Sequence, residues 1–575
     1  MSATWSGTPS IWGPTLSVRM ALLTISLAGV QIVWGFEMAY CSPYLLSLGL
    51  SKSVMSLVWI VGPLSGLITQ PIVGAIADRS RLKWGRRRPF MILGTLFVGA
   101  GLLVLGWVAD IVGMLVPHPD VARMLSIIIA VLALYVLDFS INAVQASCRA
   151  LVVDCLPASQ QQIGSAWASR MIAIGNFVGY LVGTLDMKTI FGTTFGDTQI
   201  KQLCVLSFST LLTTVLITSI SVTERVLVTR RAEDNKGLWT ALRKIFNTMF
   251  HLPKRIGAIC RIWFFAWIGW FPFMLYSTTF VGEVLQRYDT SARSRLQTST
   301  DILGDIARVG AMALVVYSSI SLLGSFTLPW LIHSPESEAL RKTRSKTGIW
   351  YSVCEFLEIY RPDLATAWAV GHIMFATAMF LTLFVRSVGG ATFVVGACGV
   401  PWALMMWAPF AFMGEEINRL SSNGETPYHR RRSVGGTAYE RLSTDIPHGA
   451  DSDDEESFVP MLELSRPSLS GVERPNVPAL VDMEGDRDGG GNELSGIYLG
   501  ILNVFACLPQ FVATFISFAV FSTLEPGRSP EFADDGEVKG GGKKVGGVNA
   551  IAVVMALGGL SVLVAARDTV KYKKL

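Results

Sequence analysis

The chain is short of charge. Asp, Glu, Lys and Arg make up 16% of its 575 residues, where a soluble domain carries about 25%. With 51% hydrophobic residues, an ordinary water-soluble globule is excluded. Cysteine pairs are missing as well. The eight cysteines (Cys41, Cys148, Cys155, Cys204, Cys260, Cys354, Cys398 and Cys507) are scattered without a CxxC spacing, which argues against a disulfide frame or a metal site and for small buried side chains. There is no Walker-type glycine loop, so ATP is not the direct driver of any work the chain does, and no motif points to an enzyme. A cleavable signal peptide is not evident, because the first apolar stretch starts near residue 20 and runs too long for an h-region.

What the chain has instead is long apolar runs. Twelve candidate spans lie at roughly 20–46, 54–78, 89–110, 124–147, 163–185, 203–222, 258–282, 309–333, 363–385, 391–413, 495–521 and 547–566, each long enough to cross a bilayer. Between the second and third lies "ADRSRLKWGRRRPF", residues 77–90, with Arg79, Arg81, Lys83, Arg86, Arg87 and Arg88. In a soluble protein such a run would read as a nucleic-acid patch; between two spans it reads as a topological anchor, and no nucleic-acid partner is expected. The stretch 224–257 is equally basic, with Arg225, Arg230, Arg231, Lys236, Arg243, Lys244, Lys254 and Arg255. The alternate loops are poor in cations: 47–53 has only Lys52, and 186–202 has Lys188 and Lys201. The positive-inside rule then places both termini and all basic clusters in the cytosol.

The expected organisation is an all-α membrane protein with twelve transmembrane helices in two bundles of six. A cytosolic tail (1–19) precedes the first bundle (20–222), a cytosolic linker (223–257) follows, and the second bundle (258–566) ends in a cytosolic tail (567–575). Residues 414–494 interrupt the second bundle; rich in Ser, Gly, Pro and charge, they read as a disordered cytosolic loop. Ser433 follows three arginines and Ser452 sits among acids, so both are candidate phosphorylation sites with kinases as partners. The plain alternative is an unregulated spacer.

Polar residues inside the spans carry the functional signal. Asp138, Asn142, Gln145 and Arg149 lie at i, i+4, i+7 and i+11 of the fourth span, within about 60° of one another on a stripe about 16 Å long. A mid-span carboxylate costs about 2.5–3.5 kcal/mol on insertion scales, so it should face a water-filled cavity or a partner. A buried carboxyl can take and release a proton near neutral pH and can accept hydrogen bonds from hydroxyl groups of a solute. The alternative is a structural Asp–Arg pair. In the first span, Gln31, Trp34 and Glu37 spread over about 120° of the helix; Glu37 is a second titratable group or a sugar ligand, unless it sits in water at the outer mouth. Trp263, Trp267 and Trp270 share a face of the seventh span, and Trp270 is the candidate to stack on a sugar ring, helix packing being the alternative. Asn503 and Gln510 share a face of the eleventh span and are further candidate sugar contacts. His372 reads as a packed histidine, and Gly175, Gly179 and Gly183 as a small-residue packing ridge.

"GAIADRSRLKWGRRRP" resembles the G-x-x-x-D-R…G-R-R signature of major facilitator transporters, with extra residues between Asp-Arg and Gly-Arg-Arg. The longer "GPLSGLITQPIVGAIADRSRLKWGRRRPF", with "VLDFSINAVQASCRALVVD", "GNFVGYLVG", "WIGWFPFMLYSTTFVGE", "RVGAMAL", "GVPWAL" and "GIYLGILNVFACLPQ", resembles the sucrose–proton symporter family, in the glycoside–pentoside–hexuronide cation symporter branch of the major facilitator superfamily. The loop 414–494 is of the kind fungal members carry. The resemblance implies the 6+6 major facilitator fold with a site at mid-membrane between the bundles, and no cofactor beyond a coupling proton. It implies that Asp138 takes the proton and binds sugar, with Glu37, Asn142, Gln145, Gln31, Trp34, Trp270 and Asn503 as the candidates around it. It also implies a cytoplasmic gate of Gly74, Asp78, Arg79, Gly85, Arg86 and Arg87, which Arg149 and Asp154 are expected to join as partners. The first span departs from the plant pattern, with Glu37 where plant members usually have an amide. The expected activity is proton-coupled import of sucrose or a related α-glucoside such as maltose, most simply at the plasma membrane. The alternatives are a proton-linked carrier of hexose or another solute on an internal membrane, and a non-transporting sugar sensor.

Overall fold

A backbone inside lipid has no water to bond, so apolar runs of this length close their hydrogen bonds internally as helices. The computed structural model describes residues 4–78, 80–157, 160–229, 243, 247–289, 301–332, 361–422, 488–526 and 549–575. Arg79, Ser433 and Ser452 lie outside them.

In the first bundle, α1 (Leu16–Phe36) is capped by the Thr15 hydroxyl, which accepts from the Val18 amide. It runs on through a π-helical turn, Glu37–Cys41, into α2 (Ser42–Ser47). Pro43 has no N–H to give the carbonyl of Ala39, and the widened turn lies over that gap. The second span is broken into α3 (Lys52–Val58) and α4 (Val61–Asp78). Then come α5 (Arg88–Leu115), α6 (Pro119–Cys155), α7 (Gln161–Thr184), the short α8 (Met187–Phe191) and α9 (Gln199–Ser221). The second bundle comprises α10 (Lys254–Tyr288), α11 (Ile302–Leu331), α12 (Leu364–Leu381), α13 (Val388–Ala397), α14 (Gly399–Ser422), α15 (Asp488–Leu524) and α16 (Ala550–Tyr572). The α6 helix outruns the expected 124–147 at both ends.

Among the described residues, eleven segments are long and apolar enough to cross a membrane. The twelfth, α7, falls short in apolarity because it carries Ser165, Ser169, Arg170 and Asn176; it packs between α1 and α11. Its glycines make that packing close. A Cβ on Gly175 would stand 2.5 Å from the Ala28 carbonyl oxygen of α1, so only glycine admits this approach.

Within the first bundle α1 packs on α6, α7 and α9, and α5 on α6 and α9. Within the second, α10 packs on α11 and α16, and α12 on α16. The bundles meet where α7 touches α11 and where α10 and α11 touch the π-turn and α2. Residues Gly414–Gly496 separate as a second unit; its described part is the end of α14 and the start of α15, with an Arg419–Glu416 pair at 2.7 Å.

One departure from the all-α expectation concerns the 1–19 tail and the 223–257 linker. Strand β1 (Thr4–Ser6) pairs antiparallel with β4 (Val226–Thr229), and β2 (Ser10–Ile11) with β3 (Val222–Thr223). The Trp12 amide also donates to the Ser221 carbonyl at 2.8 Å. The tail is therefore tied to the first residues of the linker.

Candidate functional site

The polar stripe of α6 faces α1 and α4. Asn142 donates to the Ser65 hydroxyl (2.9 Å) and to the Asp138 carbonyl one turn back (3.0 Å), and accepts from Gln70 (3.4 Å). Trp34 of α1 donates its indole N–H to Gln145 at 3.3 Å. Gln31, also buried, packs against Gly175 of α7. These bonds hold α1, α4 and α6 in one register around Asp138.

At the centre of this arrangement the carboxyl groups of Glu37 and Asp138 face each other within hydrogen-bonding reach. Both side chains are 0% exposed, and none of their four oxygens finds a donor among the described residues. Glu37 opens the π-turn, so the wide turn aims one carboxyl at the other. Two like charges this close, without a cation or solvent, would be prohibitively costly. A proton between them removes the repulsion and turns the contact into a hydrogen bond. Sequence spacing placed the two acids on separate helices and could not foresee that they meet.

Other expected residues are placed differently. Trp270 is 1% exposed, stacked on Phe375 at 4.0 Å and set against Phe273 and Trp402. Its ring serves packing in this conformation, and no face is left for a sugar. Asn503 is half-buried on α15, one turn before Cys507, whose Sγ lies 3.5 Å from the Cβ position of Gly66 on α4. The α15 helix thus comes close to α4 near Asn142.

The basic loop acts through its backbone as much as through its charge. The amides of Arg86, Arg87 and Arg88, at the start of α5, all donate to the Glu224 carboxylate at 2.9–3.0 Å. A helix N-terminus favours an anion, and Glu224 supplies it. Gly85 makes the approach, with φ of 109°; a Cβ there would stand 2.6 Å from Glu224 Oε1. Arg86 and Arg87 bind Asp154 at 2.5 and 2.8 Å, and Arg88 reaches the Ser219 carbonyl at 3.0 Å. The expected partnership with Asp154 is present, but these bonds clamp the ends of α5, α6 and α9 within the first bundle and do not cross to the second. Arg149, expected to join it, is exposed and has no ion pair among the described residues. Asp78 closes α4, and Gly74 has open space beside it.

Closure lies at the opposite face, where the sequence had shown only a sparse loop. Lys52 of α3, 1% exposed, pairs with Glu283 of α10 and with Glu525 just past α15. Arg287 pairs with Glu525 at 2.9 Å and lies 3.8 Å from Glu283. Partial burial pushes the Glu525 carboxyl up, but Lys52, the Ala550 amide and Arg287 together outweigh it and hold the group below its ordinary value. A second contact joins Arg308 of α11 to Asp186 at 3.2 Å, and the Gln199 amide donates to Asp301 at 2.7 Å. Ser42 of α2 donates to the Leu275 carbonyl of α10 at 2.9 Å. Among the described residues every ion pair between the bundles lies at this far face. The bundles are thus joined there.

Two six-helix bundles joined across one face, with buried acids and amides between their helices, have the architecture of a multi-pass membrane transporter. Residues 24–406 match the MFS/sugar transport protein family, and the chain belongs to it. Among curated relatives, the general alpha-glucoside permease of Schizosaccharomyces pombe (strain 972 / ATCC 24843) is 32% identical over 457 residues, covering 70% of this chain and 81% of that protein. The sucrose transport protein SUC4 of Arabidopsis thaliana is 30% identical over 284 residues, covering 47% and 55%. Among solved structures, a variant of the nucleoside transporter NupG superposes with a TM-score of 0.51 at 11% identity, covering 96% of this chain and 99% of that one. A proton-dependent oligopeptide transporter structure does so with 0.51 at 10% identity, covering 96% and 98%. These two carry the fold alone.

Proposed function

We propose that this sugar transporter imports sucrose or a related α-glucoside such as maltose together with a proton, by alternating access, at the plasma membrane. The observation that carries the reading is the buried pair of neighbouring carboxyls, Glu37 and Asp138, whose oxygens find no donor among the described residues, in the polar cluster of Asn142, Gln145, Trp34, Ser65 and Gln70. A proton bound there replaces two repelling charges by one negative charge shared in a carboxyl–carboxylate hydrogen bond, which lowers the cost of holding the pair buried while the bundles move. Sugar hydroxyls arriving from the water-open side bring donors to the same oxygens, so sugar and proton act on one site. The relatives named for alpha-glucosides and sucrose support the substrate class. Asn503 on α15 is the contact proposed from the second bundle; Gln31 acts by positioning α1.

The test is uptake of labelled sucrose, maltose and glucose into proteoliposomes holding the purified chain, with and without a pH gradient. The expected result is accumulation of an α-glucoside only when the outside is more acidic, with weak competition by glucose. Accumulation that ignores the gradient, or uptake of hexose alone, overturns the reading.

A further inference from the structure

Outside the transport site, one groove on the first bundle is joined to exposed charge. Ile68, Thr69, Ile72 and Val73 of α4, Phe90, Leu93, Gly94 and Phe97 of α5, and Phe139, Ser140 and Ala143 of α6 line a cavity of about 330 Å³. Its rim is lipid-facing: Leu93 and Phe97 are each about half exposed, and Ile68 and Ile72 over a third. Loop 79–88 connects the two helices that form its walls. At 1.5 Å per residue, Phe90 lies about 3 Å and Phe97 about 14 Å from the start of α5, and Val73 and Ile68 lie about 8 and 15 Å from the end of α4. The groove therefore begins just beneath the loop and extends about half the 30 Å hydrocarbon thickness, the depth of one leaflet.

The loop above it carries two kinds of cation. Arg86, Arg87 and Arg88 are engaged with Asp154, Glu224 and the Ser219 carbonyl. Arg81 and Lys83 are exposed, with no ion pair among the described residues. Trp84 beside them is 63% exposed, as suits a ring at the headgroup level. We propose that this groove is a binding site for one anionic phospholipid, its acyl chain along Phe90, Leu93 and Phe97 and its phosphate-bearing headgroup against Arg81 and Lys83. An uncharged lipid fills the groove equally well and leaves the two cations unmet, so the charge of the headgroup is what the site selects.

The experiment uses the purified full chain and native mass spectrometry with phosphatidylserine and phosphatidylcholine of identical acyl chains. The intact protein should retain phosphatidylserine in preference. The double variant Arg81→Gln/Lys83→Gln, altered only at exposed positions, should lose about thirty-fold in phosphatidylserine affinity with phosphatidylcholine unchanged. Ala143→Phe, which fills the groove, should weaken both lipids, its folding checked by its melting temperature. Glycerophosphoserine, which lacks acyl chains, should not compete. Equal retention of the two lipids, a serine preference that survives the charge-removing variant, or full competition by the chainless headgroup overturns the proposal.

Discussion

Lys52→Met gives the sharpest test of the far-face closure. Counted over the described residues, the cluster of Lys52, Arg287, Glu283 and Glu525 carries two positive and two negative charges and is neutral. Removing Lys52 leaves one cation against two acids, with Glu283 0% exposed. Breaking a buried pair by deleting one partner costs about 3–5 kcal/mol, and here the cost falls on the far-face-closed state alone, because opening hydrates Glu283. With 1.4 kcal/mol per tenfold, the closed state should lose about a hundredfold to a few thousandfold in population relative to the open one. The readout is thiol labelling at Ser42→Cys, which sits in the closed contact with Leu275. The seven described native cysteines are buried, and Cys354 is changed to Ser. Labelling by a membrane-impermeant reagent added at the far face should rise by up to that factor in the Lys52→Met background. Adding Glu283→Gln restores neutrality, with Arg287 against Glu525, and should return labelling most of the way. If Lys52→Met leaves labelling unchanged, or the double variant labels as fast as the single one, the cluster does not hold the face shut.

Gly85→Ala should destabilise the chain by at least about 1–2 kcal/mol, since its φ of 109° and the nearby Glu224 carboxylate both oppose a side chain; a lowered melting temperature checks this, and an unchanged one refutes the Glu224 clamp. Asp138→Asn and Glu37→Gln should each abolish pH-driven accumulation while retaining some sugar binding, as expected of a shared proton; normal pH-driven accumulation in proteoliposomes by either single variant would separate the two acids. Glu525 is held below its ordinary value, so its contribution is complete above the unfolded value of about 4.3 and is lost only as pH falls through the lower folded one. Labelling of Ser42→Cys, divided by that of a fully exposed cysteine at the same pH to remove the change in thiolate fraction, should therefore be flat between about pH 5 and 7, and a steep change in that ratio would contradict the assignment.

Much of the fold was legible because hydropathy, helical period and loop charge are local quantities. The twelve spans, the basic anchor at 77–90 and the stripe Asp138–Asn142–Gln145 follow from the order of residues alone. Periodicity says which residues share a face but not which helix that face will meet. Asp138 and Glu37 became a pair only when the packing of α1 on α6 set the rotation of both. Trp270 lay on a face as suited to a sugar as to Phe375, and the packing of α10, α12 and α14 settled it. Glu224 and Gly85 lie far apart in sequence, yet a helix N-terminus needs an anion and the folded bundle brings this one. Lys52 looked like a lone loop cation because its partners stand at positions 283 and 525. Buried charges must find opposite charges wherever the chain brings them, and that choice belongs to the assembled bundles, not to any stretch of sequence.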